Sequence, residues 1–576
     1  MPDLGFVPEY LRPFIAKQDT NLYTPMDHAS WRFILRVSKD FFAKQAHQKY
    51  LAGLKETGIS TERIPLIEEM DAKLKKFGWR AVAVSGFIPP AVFMEFQSLG
   101  ILPIACEMRT LEHLAYTPAP DIVHEAAGHA PIIADPEFAE YLKNYGEVSR
   151  KAIFSSQDMA VYEAVRNLSV VKEDPHSTDQ DILKAQRQLD ETSAAVNYVS
   201  EATLLARMNW WTVEYGLVGS IENPKIYGAG LLSSVGESFN CLNAEVKKVP
   251  LTIDAVNTIY DITRPQPQLF VTPDFKYLTQ VLNEFSKTMA FKIGGTSGLA
   301  KALQAASVCT ATLDSGIQIS GVLSAYRIQN RTGEPRASFL RFKGPTQLSY
   351  TDLEIKDQGP ENHLDGFSTI IGKIKNRDQS VSDLTDVELM TLKTIEFESG
   401  ITLQGEFVKS HRENGKALIV TFRNCTVKSE ENEILFDPSW GIFDLACGDE
   451  VISVFGGAAD RKKYLTKTGG FKQSPQIPKC NLTEENKTLN QLYARVRELR
   501  EQKASGHDLD MALTLIQKEL DKDFPEDWLL RLELLELAGA QKINPNWVTK
   551  LKSDLDRIAL LGLDKKQMIQ RGLALL

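Results

Sequence analysis

The sequence predicts a multidomain chain: a mainly α domain with small β elements over residues 1–293, a mainly β domain over 300–478 and an α-helical region over 481–576. Three observations carry this division. Apolar residues recur at helical spacing through the first part, with Trp31, Ile34, Leu35, Val37, Phe41 and Phe42 forming one stripe. From 305 to 475, short runs rich in Thr, Val and Ile alternate with Gly, Asn and Asp, the pattern of strands and turns. Helical spacing returns from Thr483, and 576 residues are too many for one ordinary core.

Taken in order, residues 27–56 and 67–77 read as helices, 79–87 as a β-like run stopped by Pro89-Pro90, and 92–96 as the start of another helix. Residues 181–207 read as helix, and Pro175 within a charged stretch marks 172–176 as a surface turn. Residues 292–298, Lys-Ile-Gly-Gly-Thr-Ser-Gly, have the composition of a flexible linker. Beyond it, the runs 417–422 and 451–455 read as strands of a sandwich or barrel, with His363 and His411 in polar turns that lack a ligand pattern. This part is expected to be a binding or assembly module. Leu482, Leu489, Leu492, Val496 and Leu499 keep a seven-residue repeat for under three heptads, too short to distinguish a coiled coil from a helical hairpin. Residues 527–537 and 547–561 read as further amphipathic helices, and a protein partner or homo-oligomer contact is the expected use of the C-terminal half.

Composition narrows the function. With 43% hydrophobic and 24% charged residues the chain reads as globular, and a net charge of −9 argues against nucleic acid or an anionic membrane as partner. The first 17 residues are interrupted by charges, and nowhere do 18 apolar residues run together, so a cytoplasmic location is expected. Six dispersed cysteines form no Cys-x-x-Cys pair and suggest neither a zinc ribbon nor a disulfide framework.

The chemistry concentrates in Pro120-Asp121-Ile122-Val123-His124-Glu125-Ala126-Ala127-Gly128-His129-Ala130-Pro131. On a regular α-helix a spacing of five turns two histidines away from each other, whereas zinc proteases space theirs by four. For His124 and His129 to share an ion the helix must loosen, and Gly128 with Pro131 suggests that it ends there. Two imidazoles need an oxygen ligand beside them. Glu214 is a single acid within the aromatic and β-branched run Trp210-Trp211-Thr212-Val213-Glu214-Tyr215-Gly216, where it must be paired or face solvent. Two histidines and one carboxylate are the pattern of non-haem Fe(II) oxygenases.

These stretches, with Tyr116-Thr117-Pro118-Ala119 before the first, Asp135 and Phe138 after it, and Tyr227-Gly228-Ala229-Gly230-Leu231-Leu232-Ser233-Ser234-Val235-Gly236-Glu237 as a third block in the same order, resemble the pterin-dependent aromatic amino acid hydroxylases. The resemblance extends over residues 20–293, and implies that family's catalytic fold for them. It implies Fe(II) held by His124, His129 and Glu214, a tetrahydropterin such as tetrahydrobiopterin, O2 as co-substrate, and an aromatic amino acid as substrate, phenylalanine first and tryptophan as the alternative. Arg109 matches the arginine that grips the substrate carboxylate, braced by Asp121; Thr117, Trp210, Gly230, Ser233 and Ile262 match positions on the substrate side. An apolar Ile262 and Tyr116 disfavour a tyrosine hydroxylase. Phe93 matches the ring that stacks on pterin, with Phe87 and Phe96 open as alternatives and an ordinary core role open for all three; Glu125 matches a residue on the pterin side. Three departures stand out. Asn209 replaces a tyrosine, Tyr215 replaces a phenylalanine, and 85 positions separate His129 from Glu214 where the family uses about half as many. Two other classes remain open: a zinc hydrolase with Glu125 as general base, and a scaffold that binds metal without turnover.

Overall fold

The computed structural model describes residues 4–86, 88–115, 120–173, 177–261, 264–329, 335–377, 379–469, 484–540 and 546–576. Helices and sheets are both abundant, and the buried apolar residues fall into four clusters.

The first helix, Pro25–Gln45, starts cleanly: Thr24 and Asp27 form a reciprocal capping box and Pro25 occupies the first turn. It stops at Ala46, and a second helix, Tyr50–Glu56, follows, so the single helix expected over 27–56 is two. The first buries far more than one stripe: Trp31, Phe33, Ile34, Leu35, Val37 and Phe42, and even Arg32, are all inside. A helix apolar on most faces is covered from more than one side. One side meets the rest of residues 29–289. The other meets the helices Glu484–Glu501 and Leu529–Ala540, and all of these share one continuous cluster.

The strand Arg80–Val84 pairs in parallel with Ile101–Ala105 across the helix Pro90–Ser98, and a four-stranded sheet orders Pro224–Ile226, Leu217–Gly219, Gln268–Thr272 and Lys247–Pro250. The long stretch between His129 and Glu214 holds the α-helices Ala130–Ile133, Pro136–Ser149, Ser156–Glu173, Asp179–Ala194 and Glu201–Asn209; Ser156–Glu173 and Asp179–Ala194 pack on one another, the latter capped by Thr178 and Asp181. Its exposed side chains fit a surface insertion. The turn expected at 172–176 lies largely outside the described residues.

The flexible linker expected at 292–298 is instead helical. Ala290–Ile293 and Gly295–Ala305 are helices joined at Gly294, where φ is +53°. A Cβ on Gly294 would lie 2.5 Å from the Ile452 carbonyl oxygen, so glycine here serves close packing against the strand Val451–Gly456.

Residues 308–456 form two antiparallel sheets. The larger orders Leu353–Glu354, Arg336–Tyr350, Ile317–Gln329, Val308–Leu313 and Val451–Gly456, with Gly366–Ile370 also on Arg336–Tyr350. The smaller orders Thr394–Glu396, Thr402–Glu413, Lys416–Lys428 and Ile434–Phe436, with Phe443–Ala446 also on Lys416–Lys428. Each of their two cores draws residues from both sheets, so the sheets pack together without closing into one barrel. Among the described residues no helix is long and apolar enough to cross a membrane.

Candidate metal centre

His124 and His129 lie on Val123–His129, which is a π-helix, continued by the α-helix Ala130–Ile133. The helix therefore widens where the sequence suggested an end. The Ala130 amide donates to the Glu125 carbonyl, an i→i+5 bond, and in such a turn residues five apart sit one above the other. Pro131 has no N–H to offer the Ala127 carbonyl, and the Tyr50 hydroxyl bonds that carbonyl at 3.0 Å instead. Gly128 has its own reason. A Cβ there would lie 2.6 Å from the Ala229 carbonyl oxygen, so the glycine lets the π-turn approach the helix Ala229–Ser233.

Glu214 closes a second π-turn, Trp210–Glu214, in which the Tyr215 amide donates to the Trp210 carbonyl at 2.8 Å. The two turns bring three donors together. His129 Nε2 is 3.2 Å from His124 Nε2, His124 Nε2 is 3.3 Å from Glu214 Oε2, and His129 Nε2 is 3.3 Å from Glu214 Oε1. Ligands about 2.1 Å from one ion stand roughly 3.0 Å apart in octahedral and roughly 3.4 Å apart in tetrahedral geometry, so this triangle fits a single cation. Among the described residues it is also the one cluster of His, Cys, Asp and Glu with such proximity. Burial opposes ionisation of Glu214, but the imidazoles of His129 and His124 outweigh it and hold its carboxyl below the usual carboxylate range.

Ser233 fixes the state of His124. Its hydroxyl donates to the Ala229 carbonyl at 2.7 Å, so toward His124 Nδ1, 3.0 Å away, it accepts. The ring proton then sits on Nδ1 and the Nε2 lone pair is free for a metal. Sequence reasoning placed Ser233 at the substrate end and did not see this bond.

Arg109 and Asp121 are both buried and form a forked pair, Nε to Oδ2 and Nη2 to Oδ1 at 2.7 Å each, while Arg109 Nη1 donates to the Ser233 carbonyl at 3.0 Å. These bonds leave one N–H on each Nη of the guanidinium, a pair suited to a carboxylate. Asp121 Oδ1 also accepts from the His124 amide at 3.1 Å, which ties the arginine to the start of the metal-binding turn.

Trp210 stacks between two tyrosines, with ring centroids 4.4 Å from Tyr215 and 4.3 Å from Tyr260, and its Nε1 is buried without a hydrogen-bond partner. A Cβ on Gly230 would lie 2.9 Å from the Tyr215 ring, so glycine there makes room for that stack. Asn209 Nδ2 lies 3.5 Å from Glu214 Oε1, the length limit of a hydrogen bond. Glu125 is buried and its Oε2, 3.8 Å from His129 Nε2, has no hydrogen-bond partner. Burial first, and the Glu214 carboxylate after it, push its carboxyl up to about 8, against the pull of His129. Phe93 is half-buried on the helix Pro90–Ser98, whereas Phe96 is fully inside a core cluster and offers no free face. Phe87, Tyr116, Thr117 and Ile262 lie outside the described residues.

The chain matches the family of biopterin-dependent aromatic amino acid hydroxylases over residues 18–162 and 174–294. It is 31% identical over 264 residues to the phenylalanine-4-hydroxylase of Pseudomonas aeruginosa, covering 46% of this chain and 84% of that protein. It is 30% identical over 268 residues to the phenylalanine-4-hydroxylase of Chromobacterium violaceum, covering 46% of this chain and 75% of that one. Among solved structures it is similar to C. violaceum phenylalanine hydroxylase with bound iron(III) and the oxidised cofactor 7,8-dihydrobiopterin, at 27% identity and a TM-score of 0.38, over 48% of this chain and 85% of that one. The family match interrupts at 163–173, inside the inserted helical pair, and ends at 294. The chain belongs to the biopterin-dependent aromatic amino acid hydroxylase family.

Proposed function

We propose that the protein is a non-haem Fe(II)- and tetrahydropterin-dependent monooxygenase that uses O2 to hydroxylate phenylalanine to tyrosine. The observation that carries this reading is the convergence of His124, His129 and Glu214 beside a buried arginine with two N–H groups to spare. The relatives named phenylalanine-4-hydroxylase support the choice of substrate.

In this reading His124, His129 and Glu214 hold the iron. Fe(II) and tetrahydropterin, when bound, supply the electrons that split O2 so that one oxygen atom enters the ring. The chain's own part is placement. Arg109 receives the substrate carboxylate on its two remaining N–H groups, and Asp121 keeps the fork from turning. Trp210, its faces taken by Tyr215 and Tyr260, meets the aromatic ring with its indole edge, and Gly230 leaves room for that stack. Ser233 holds the His124 proton on Nδ1. Phe93, half-buried, offers a ring face to the pterin, and the partnerless Glu125 oxygen offers it a polar contact. The resemblance to the family assigns Thr117 and Ile262 to the substrate side as well.

The test is anaerobic reconstitution with Fe(II), then oxygen uptake with tetrahydropterin and each aromatic amino acid in turn, with products identified by mass. Uptake coupled to a gain of one oxygen atom on phenylalanine is expected. Preferential oxidation of tryptophan would make the protein a tryptophan hydroxylase. No uptake with any substrate, in protein that holds iron, would sink the reading in favour of the scaffold or a hydrolase.

A further inference from the structure

We infer that the C-terminal helical region, residues 484–576, is a positioning element for the substrate end of the site, acting through Arg571 on the segment that carries Ser233. The region lies outside the family match, which ends at 294. It nevertheless shares its core with the catalytic part: Leu492, Tyr493, Leu529 and Leu530 belong to the same apolar cluster as Trp31 and Ile34. Specific contacts fix the seating. Asn490 Oδ1 accepts from the Met26 amide at 3.0 Å, and Trp528 meets Phe33 edge-on at 5.1 Å.

Residues 233–236 are a junction with bonds leading to several elements. The Ser233 carbonyl accepts from Arg109 at 3.0 Å and the Ser233 hydroxyl accepts from His124 at 3.0 Å. The Ser234 hydroxyl and the Gly236 amide both donate to the Ala115 carbonyl, at 3.0 and 3.3 Å, on the approach to the first motif. The last contact comes from the far end of the chain. Arg571, on the helix Leu563–Leu573, donates from Nη1 to the Val235 carbonyl at 2.7 Å and lies 4.0 Å over the Phe239 ring. Phe239 in turn stacks on Phe41 of the first helix at 3.9 Å.

The helix Val235–Asn240 has six residues, too few to hold its own orientation, so its outside contacts set where it points. Arg571 supplies a hydrogen bond at its first turn and a cation over the ring one turn on. Through Ser233, two residues before Val235, that orientation reaches the Arg109 guanidinium. A substrate carboxylate held by two parallel bonds is sensitive to a small turn of that fork. Arg571 is thus a positioning residue and touches no substrate.

The inference rests on the hydroxylase reading for its kinetic arm only. Full-length Arg571→Ala and Arg571→Lys variants are compared with the parent, metal-loaded protein. For Arg571→Ala, amide hydrogen exchange across 233–240 is expected to quicken, and KM for phenylalanine to rise about three- to tenfold with kcat little changed. Metal retention and the thermal midpoint should stay at the parent's values. Lysine, which keeps a cation over Phe239 and one donor for Val235, should restore most of the loss. Unchanged exchange and KM in Arg571→Ala would overturn the inference. So would a fall in thermal midpoint and metal retention alongside the rise in KM, none of it rescued by lysine, because that pattern marks a merely structural residue. If the parent oxidises no aromatic amino acid, the hydroxylase reading fails, and the exchange measurement still decides the coupling.

Discussion

Ser233 serves two neighbours with two atoms, its carbonyl holding Arg109 and its hydroxyl holding the His124 tautomer. Removing only the hydroxyl separates these roles. In Ser233→Ala the carbonyl bond to Arg109 remains while His124 Nδ1 loses its partner, so metal affinity should fall about tenfold with substrate affinity nearly kept. Anaerobic Co(II) titration measures it, and unchanged affinity would remove the assignment. Glu237, at the end of the same block, is 4% exposed, and burial raises its carboxyl from an ordinary 4.5 to about 7 although the Gln266 backbone pulls the other way. Below pH 4.5 both the folded and the unfolded chain hold the proton, so the group leaves stability unchanged. Between 4.5 and 7 the unfolded chain has ionised and the folded one has not, so stability falls as pH rises, and it levels off above 7. Between pH 5 and pH 8 the parent should lose about 2 kcal/mol more than Glu237→Gln, read from urea midpoints. At this scale the sequence offered His124, His129 and Glu214 as a ligand set from their spacing and residue types, and the family resemblance supplied the pairing of Arg109 with Asp121. It was silent on the bond from Ser233 to His124 because a serine between Leu232 and Ser234 advertises no partner.

The two π-turns explain a spacing that regular helices cannot use. The five-residue step from His124 to His129 excluded an ordinary α-helical pair, and that much was legible. The remedy expected, a helix broken at Gly128, was not the one adopted, since hydrogen bonds of the i→i+5 kind leave no mark in residue types. Gly128 was read as a breaker and is a contact residue. In Gly128→Ala the new methyl would lie 2.6 Å from a backbone oxygen of Ala229, which cannot move aside as a side chain could. Stability should drop by about 2 kcal/mol or more, with metal retention lost along with it. Denaturant unfolding of the variant checks the first, and a stability equal to the parent's would show that the helices separate freely. The strand-rich middle was foreseen from turn residues, but the single helix expected over 181–207 is two, Asp179–Ala194 and Glu201–Asn209, and the joint at Gly294 was misread because glycine-rich composition fits a loose linker and a tight contact equally well.

On the scale of the whole molecule, the first and last parts of the chain share one core although the strand-rich middle stands between them in sequence. Buried charges stitch them. Arg32 donates to Glu62 and to Glu533 at 2.7 and 2.9 Å and also pairs with Glu536, while Arg36 reaches Glu536 and Arg500 reaches Glu533. Removing Glu533 from this network leaves the largely buried Arg500 without its acid, while Arg32 keeps Glu536 and Glu62. Glu533→Ala should cost about 3 kcal/mol, and hydrogen exchange should quicken on the helix Pro25–Gln45 as well as on Leu529–Ala540. Exchange confined to the C-terminal helices would mean that the two parts fold separately. Periodicity announced those helices and their apolar faces, but it cannot say which surface they cover, so they were read as a site for a protein partner or a second copy. Much of that apolar surface is met within the chain. This arrangement bears on synthesis. The ribosome finishes the helix holding Arg32 long before it reaches Glu533, 501 positions later, a delay of about 25 to 100 s at ordinary elongation rates. For that interval the nascent hydroxylase half emerges with one flank of its first helix bare, open to water until the helices Glu484–Glu501 and Leu529–Ala540 are made.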